Sequence, residues 1–354
     1  MAPSVAQLQQ EAVADPIQAA KQAVKTEETK TEGPSYPYYF PYFDVDEKFP
    51  PLELFDHVDP GSRADPAKPH LLTPNVQTNQ ISPYLGTEIS GVQISQLSKE
   101  GLDELALLVA ERKVVVFRDQ DFKDLGPEKQ IEITKHFGPI HRHPTSGNVK
   151  GYPEFHVVYR DAAHDRFREY SGANRVSRLQ WHSDVSYEKQ PPGTTFFFIL
   201  DQATPSSSHK LRLTTAFPRV QETPEGLRAV HSAVFQAEFS QKRGGPVRRE
   251  PVETEHPLVR VHPVTGEKAL YINQGFTRSI VGYKRKNPTF SQLLIRARYE
   301  PGTVVVWDNR VTAHSANADY PSTFRRHAVR LTPQAEVPKE AKFEAYDKNF
   351  AHAE

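Results

Sequence analysis

The sequence predicts a mainly β fold with flanking helices, and three observations carry that prediction. The apolar runs in the second half are short and strand-like, at 155–159, 194–200, 258–261, 269–272, 303–307 and 328–332. Gly, Pro and Asn turns separate these runs, with few helical stretches between them. The two clear helical patterns lie upstream, ahead of the strand-rich part. Such an order suits a double-stranded β-helix (jelly-roll) core, or a barrel, with helices packed outside.

The elements follow in chain order. Residues 1–35 are rich in Glu, Lys, Gln and Ala and nearly free of aromatics, which predicts a disordered tail with a transient helix at 17–24. Residues 36–43 read Tyr-Pro-Tyr-Tyr-Phe-Pro-Tyr-Phe; the prolines exclude a regular helix, so the strip is expected to pack extended on a folded body. It opens an irregular, Pro- and Asp-rich lead-in over 36–81. The folded domain is expected over 82–335, with a C-terminal extension at 336–354. Ser98 is placed to cap a helix carrying Leu102, Leu105, Leu108 and Val109 on one side. A buried strand is expected at 114–117. Pro127 then opens a second helix, and Gly138 ends it.

Composition narrows the function. Lys+Arg and Asp+Glu are both 44, so the net charge is zero and nothing favours nucleic acid or an anionic membrane. No apolar run approaches the ~18 residues that span a bilayer, and residues 1–8 lack a secretion-signal pattern. A cytoplasmic location is therefore expected. The chain has no cysteine, so any metal must sit on histidine and carboxylate.

One segment meets that requirement: Trp181-His182-Ser183-Asp184-Val185. Residues two apart on a strand share a side, so His182 and Asp184 would present an imidazole and a carboxylate together. His314, far along the chain after Trp307-Asp-Asn-Arg-Val-Thr-Ala, is the best third ligand. Two histidines and a carboxylate on one face are the ligand set of non-haem Fe(II) oxygenases.

With these motifs in view, the sequence resembles the taurine/sulfonate dioxygenases among the 2-oxoglutarate oxygenases, in particular the fungal sulfonate dioxygenases. The matching segments are Ser82-Pro-Tyr-Leu-Gly-Thr-Glu-Ile-Ser-Gly91, Val114-Val-Val-Phe-Arg-Asp119, Phe137-Gly-Pro-Ile-His-Arg-His-Pro144, Trp181-His-Ser-Asp-Val-Ser186 and the stretch from Trp307 through His314 to Tyr320. They occur in family order across most of the folded part. The resemblance implies that 82–335 is a dioxygenase domain and that His182, Asp184 and His314 bind Fe(II), with 2-oxoglutarate and O2 as cosubstrates. It implies that Arg326 grips the distal carboxylate of 2-oxoglutarate. Arg330, four residues on, would face the substrate sulfonate and help with the cosubstrate. Positions four apart on a strand share a face, and the planar guanidinium fork pairs two anionic oxygens at once. Arg325, of opposite phase, is expected to point outward. The sulfonate would also meet His143 and the backbone of Val185.

The implied activity is hydroxylation of the carbon beside a small sulfonate, releasing sulfite and an aldehyde, while 2-oxoglutarate yields succinate and CO2. The partner is thus a small anion, and a homo-oligomer is compatible with this reading. Three departures qualify the match. Ser146 stands where the family pattern has a tyrosine. Residues 204–215 read Thr-Pro-Ser-Ser-Ser-His-Lys-Leu-Arg-Leu-Thr-Thr in place of Gly-Gly-Asp-Thr, leaving Thr214 or Thr215 as substitutes for the family threonine at 2-oxoglutarate. The link from Leu294-Ile-Arg296 to Tyr299 is short. Two alternatives stay open: the same chemistry on a sulfate ester, phenoxyacetate or purine, or a jelly-roll protein with an impaired cosubstrate pocket.

Overall fold

The computed structural model describes residues 33–161, 164, 181–202, 210–215, 226–282, 293–298, 300–315 and 325–342. The expected tail over 1–35 thus lies almost wholly outside the described residues, as do the helix at 17–24, most of the 204–225 segment, Tyr299 and the end of the C-terminal extension. Residues from Tyr36 onward cluster as one compact unit. No helix among the described residues is long and apolar enough to cross a membrane.

The described strands are β1 (Gln77–Gln80), β2 (Thr87–Ser90), β3 (Val114–Phe117), β4 (His156–Arg160), β5 (Thr194–Gln202), β6 (Lys210–Thr215), β7 (Arg228–Ser232), β8 (Glu253–Pro257), β9 (Val259–Val261), β10 (Lys268–Leu270), β11 (Thr277–Ile280), β12 (Leu293–Arg298), β13 (Val304–Asp308), β14 (Thr312–Ser315) and β15 (Arg326–Leu331). Among the described residues three α-helices accompany them: α1 (Lys99–Arg112), α2 (Pro127–Thr134) and α3 (Val234–Lys242). The fold is therefore mostly β with few helices.

A seven-stranded sheet, ordered β1-β2-β3-β13-β5-β15-β4, forms the body. Only β2 and β3 pair in parallel. Its central strands read as unbroken apolar runs (Val-Val-Val-Phe in β3, Phe-Phe-Phe-Ile-Leu in β5) because both faces are covered. On one face Phe196, Phe198, Val304, Val306, Val329 and Leu331 pack with Leu102, Leu105 and Val109 of α1 and Ile131 of α2. The other face carries Val114, Val116, Phe197, Ile199, Val305, Trp307 and Ala328. By the same alternation, Arg326 and Arg330 of β15 share this second face with Ala328. A three-stranded sheet, β12-β6-β14, supplies the strand that bears His314, and β11-β7-β8 forms another.

The helix signals act as expected. The Ser98 hydroxyl accepts from the Gly101 N–H at 3.2 Å, closing the first turn of α1. α2 starts at Pro127 and runs through a 3-10 turn to Gly138, whose φ of +141° suits glycine; a Cβ there would sit 2.1 Å from the Gln334 carbonyl. The aromatic strip docks through Tyr39, which is buried and donates to Gln130 Oε1 at 3.1 Å, and through paired backbone bonds of Tyr42 with Asn148. The lead-in is not irregular to its end, since β1 falls inside it and pairs with β2. β1 (Gln-Thr-Asn-Gln, exposed throughout), β8 and α3 escape the pattern reading because their sequences lack an apolar period.

Candidate metal centre

His182 and His314 are joined backbone to backbone. The His182 N–H donates to the His314 carbonyl at 2.9 Å, and the His314 N–H donates back at 2.7 Å. This isolated antiparallel bridge sets the two rings 4.2 Å apart, centroid to centroid. The expected strand under His182-x-Asp184 is replaced by this single bridge followed by a turn. Asp184 opens that turn, and Val185 within it has φ +36°, a backbone region that β-branched residues rarely adopt. The strain is localised beside the site, as is common at ligand-holding turns.

The triad converges. One ligand atom each from His182, Asp184 and His314 lie within 4.8 Å of one another, and His314 Nε2 is 3.6 Å from Asp184 Oδ1. His314 Nδ1 is buried with no hydrogen-bond partner among the described residues, so no protein group there dictates the tautomer, and Nε2, the nitrogen that faces Asp184, can present its lone pair to a cation. Burial, then His182, pushes the His314 imidazole down to about 3, so it is a neutral ligand at neutral pH. Burial alone would raise the Asp184 carboxyl. Arg330, then His314 and His182, and a hydrogen bond from Thr195 outweigh burial and hold it well below the usual carboxylate range. Two imidazoles and one carboxylate fit a divalent iron.

A chain of side chains fixes the carboxylate. Trp307 Nε1 donates to Asn309 Oδ1 (3.0 Å), Asn309 Nδ2 donates to Thr195 Oγ1 (2.6 Å), and Thr195 Oγ1 donates to Asp184 Oδ2 (2.9 Å). The antiparallel register of β13 and β5 places Trp307 opposite Thr195. Asn273 ties the other side of the turn through Ser183 O and Ser186 Oγ, both at 2.8 Å. Trp307 and Phe276 pack against the imidazoles of His314 and His182 at 4.9 and 6.4 Å.

Each remaining residue singled out in the sequence has a definite place. Arg330 lies beside the triad, with Nη1 2.5 Å from Asp184 Oδ1 and Nη2 2.9 Å from His156 Nδ1. That contact with a triad carboxylate was not foreseen. Arg326 is buried on the same face, over the Phe197 ring at 5.9 Å. Arg325 is partly exposed and pairs with Asp201 at 2.7 Å. His143 packs edge-on against His156, centroids 4.7 Å apart, and burial followed by Arg330 holds both imidazoles well below the ordinary histidine range. Ser146 meets His143 through its backbone N–H, not its side chain. The side chains of Thr214 and Thr215 lie outside the description. Sequence reasoning missed His156, Thr195 and Asn273. His156 stands in no motif, and the other two act through contacts that only the fold creates.

Comparison with known proteins agrees with this geometry. Residues 77–332 match the family described as "Taurine catabolism dioxygenase TauD, TfdA family". The chain is 43% identical over 350 residues to the alpha-ketoglutarate-dependent dioxygenase cnsM of Penicillium expansum, covering 93% of this chain and 97% of that one. It is 40% identical to the alpha-ketoglutarate-dependent sulfonate dioxygenase of Saccharomyces cerevisiae, covering 92% and 84%. Among solved structures, a taurine dioxygenase from Burkholderia xenovorans superposes with TM-score 0.54 at 26% identity, over 76% of this chain and 97% of that one. The chain belongs to the TauD/TfdA family of dioxygenases.

Proposed function

We propose that this protein is an Fe(II)- and 2-oxoglutarate-dependent dioxygenase that hydroxylates the carbon next to a small sulfonate, so that the adduct releases sulfite and an aldehyde. The observation that carries the reading is the largely buried His182–Asp184–His314 cluster, in which His182 is half-exposed, with Arg330, His156 and His143 packed along one side of it. The 40% identical yeast relative is named for a sulfonate, which favours that substrate class. The seven-stranded sheet and the β12-β6-β14 sheet would be the two walls of a double-stranded β-helix, with the dioxygenase domain over 82–335.

His182, Asp184 and His314 would hold the iron, which when bound supplies O2 activation coupled to oxidative decarboxylation of 2-oxoglutarate. The chain's own residues do the rest. Arg326, on the face that bears Phe197, is positioned for the distal carboxylate of the cosubstrate, where a planar fork in a low-dielectric wall is most selective. His143, Arg330 and the Val185 N–H offer donors to the sulfonate. Asp184 stays ionised because Arg330 and the Thr195 hydroxyl accompany it. Trp307, Phe197 and Phe276 keep that side of the site dry, which strengthens each of these contacts.

The cnsM protein, 43% identical, carries no sulfonate in its name, so a substrate panel decides between this reading and the same chemistry on another anion. The protein supplied with Fe(II), 2-oxoglutarate and O2 is expected to release succinate and sulfite in equal amounts on alkanesulfonates, and neither after Asp184→Ala. Succinate without sulfite on every sulfonate would overturn the substrate, and unchanged turnover in Asp184→Ala would overturn the centre.

A further inference from the structure

The side of the site away from the triad is unusual in what it lacks. His143 Nδ1 lies 3.2 Å from the backbone N–H of both Thr145 and Ser146, which can only donate, so Nδ1 accepts. His156 Nδ1 faces Arg330 Nη2 at 2.9 Å, and a guanidinium has no acceptor, so this Nδ1 also accepts. In a neutral imidazole whose Nδ1 accepts, the proton is on Nε2. Both rings therefore carry an Nε2–H, and neither Nε2 has a hydrogen-bond partner among the described residues. Both residues are partly exposed overall. Arg330 Nε, in contrast, is buried without a partner. Three donors are thus gathered on rings 4.7 Å apart and on the guanidinium between Asp184 and His156. Among the described residues the only carboxylate bonded within this group is Asp184, which belongs to the triad.

We propose that His156 is a specificity-determining residue of this protein: it orients Arg330 and adds its own Nε2–H to those of His143 and Arg330, forming a donor pocket for a tetrahedral –SO3 head group. The inference deepens the functional reading above and rests on it. A head group with three oxygens can accept from three converging donors. A planar carboxylate also has lone pairs enough for three donors, but they lie in one plane, so a donor approaching from outside that plane is met poorly, which is costly for a buried group. The pocket should accordingly prefer –SO3 over –CO2 on the same alkyl chain. A sulfonate and a sulfate ester share the head group, and the test separates them.

The test uses the full-length protein loaded with Fe(II) and 2-oxoglutarate under anaerobic conditions. Butanesulfonate, butyl sulfate and pentanoate are titrated by calorimetry, and KM and kcat are then measured in air. The wild type should bind both –SO3 probes more tightly than pentanoate, and sulfite release identifies the one that is substrate. His156→Leu should weaken both –SO3 probes on the order of ten- to a hundredfold, the range for a lost hydrogen bond to a charged group, with 2-oxoglutarate affinity unchanged. KM should rise more than kcat falls. His156→Gln, which keeps an N–H, should recover part of the loss and serves if the leucine variant does not fold. Unchanged –SO3 affinity in both variants would overturn the proposal, as would equal losses for the –SO3 probes, pentanoate and 2-oxoglutarate. If the wild type binds –SO3 probes selectively and His156→Leu removes that selectivity, yet no probe drives succinate formation, the pocket stands and the dioxygenase reading falls.

Discussion

Two arginines of this molecule, Arg310 fully buried and Arg330 partly so, sit in opposite circumstances. Arg310 lies at the back of the body, where Nε and Nη2 donate to Asp308 at 2.7–3.2 Å and Nη1 donates to Asp59 at 2.5 Å. His262 closes the group by pairing with Asp308 Oδ2 at 2.8 Å. Every nitrogen of that guanidinium has a carboxylate partner. Asp308 and Asp59 more than offset the effect of burial on Arg310, so its charge is secure. Arg330 has one carboxylate, one imidazole and a buried Nε with no acceptor among the described residues. Burial of an arginine therefore says little by itself; the balance of donors against acceptors separates a group that holds the fold from one that awaits a ligand.

The sharpest way to break this comparison is Arg310→Ala. It would leave Asp308 and Asp59 buried beside each other without their cation, and breaking a buried pair in this way costs about 3–5 kcal/mol. Against a total stability of about 5–15 kcal/mol, the variant should melt far below the wild type in a denaturant or thermal scan. A melting point near the wild-type value would mean that the Arg310 cluster is no more structural than the Arg330 one.

A second substitution sharpens the other half. Arg326→Ala should weaken 2-oxoglutarate binding by about tens of fold or more, following the ~2–5 kcal/mol for truncating one partner of a buried charge pair. It should do so for every substrate while moving the melting temperature less than Arg310→Ala does. Normal 2-oxoglutarate affinity, read from the absorption band of the iron–cosubstrate complex, would put the cosubstrate elsewhere.

The smallest effect tests the neutral imidazoles. Burial, with nearby histidine or arginine, holds His231 down to about 3 and His256 down to about 4. Both folded values lie below the unfolded value of about 6.5, so the unfolded chain takes up protons first as pH falls. Stability should be flat above that value and decline from about 6.5 toward 4. The ion pairs of Asp308 respond lower, since a depressed carboxyl keeps its stabilisation until pH falls below the unfolded value of about 3.9. Melting temperatures between pH 7.5 and 4.5 should show the decline, and His256→Gln should make it shallower. A wild-type curve without slope over that interval would refute the assignment of these rings as neutral.

The clustering of His182 with Asp184 was legible in the sequence because the two are only two residues apart, whereas Arg326 and Arg330, four apart on one strand, were singled out through the family resemblance. His314 came from its position in the Trp307–Tyr320 segment. What could not be read is whatever depends on register between distant strands. The relay from Trp307 through Asn309 and Thr195 to Asp184 exists because β13 lies on β5 with Trp307 opposite Thr195. His156 reaches Arg330 because β4 pairs with β15 in the register that sets them opposite each other. A histidine inside His-Val-Val-Tyr-Arg looks like any strand residue until that pairing is known. The Asp59–Arg310 contact, from the irregular lead-in to the body, was equally invisible, since neither segment carries a pattern pointing to the other.

The reciprocal backbone bridge between His182 and His314 has a consequence for how a metal would be acquired. Two ligands distant in sequence are latched by main-chain hydrogen bonds that need no ion to form. Most of the chain entropy of bringing them together is therefore spent during folding, not during metal capture. A site latched in this way resembles a cast mould more than a loose pair of tongs, and its affinity for a cation would reflect chiefly the exchange of hydration water for ligands.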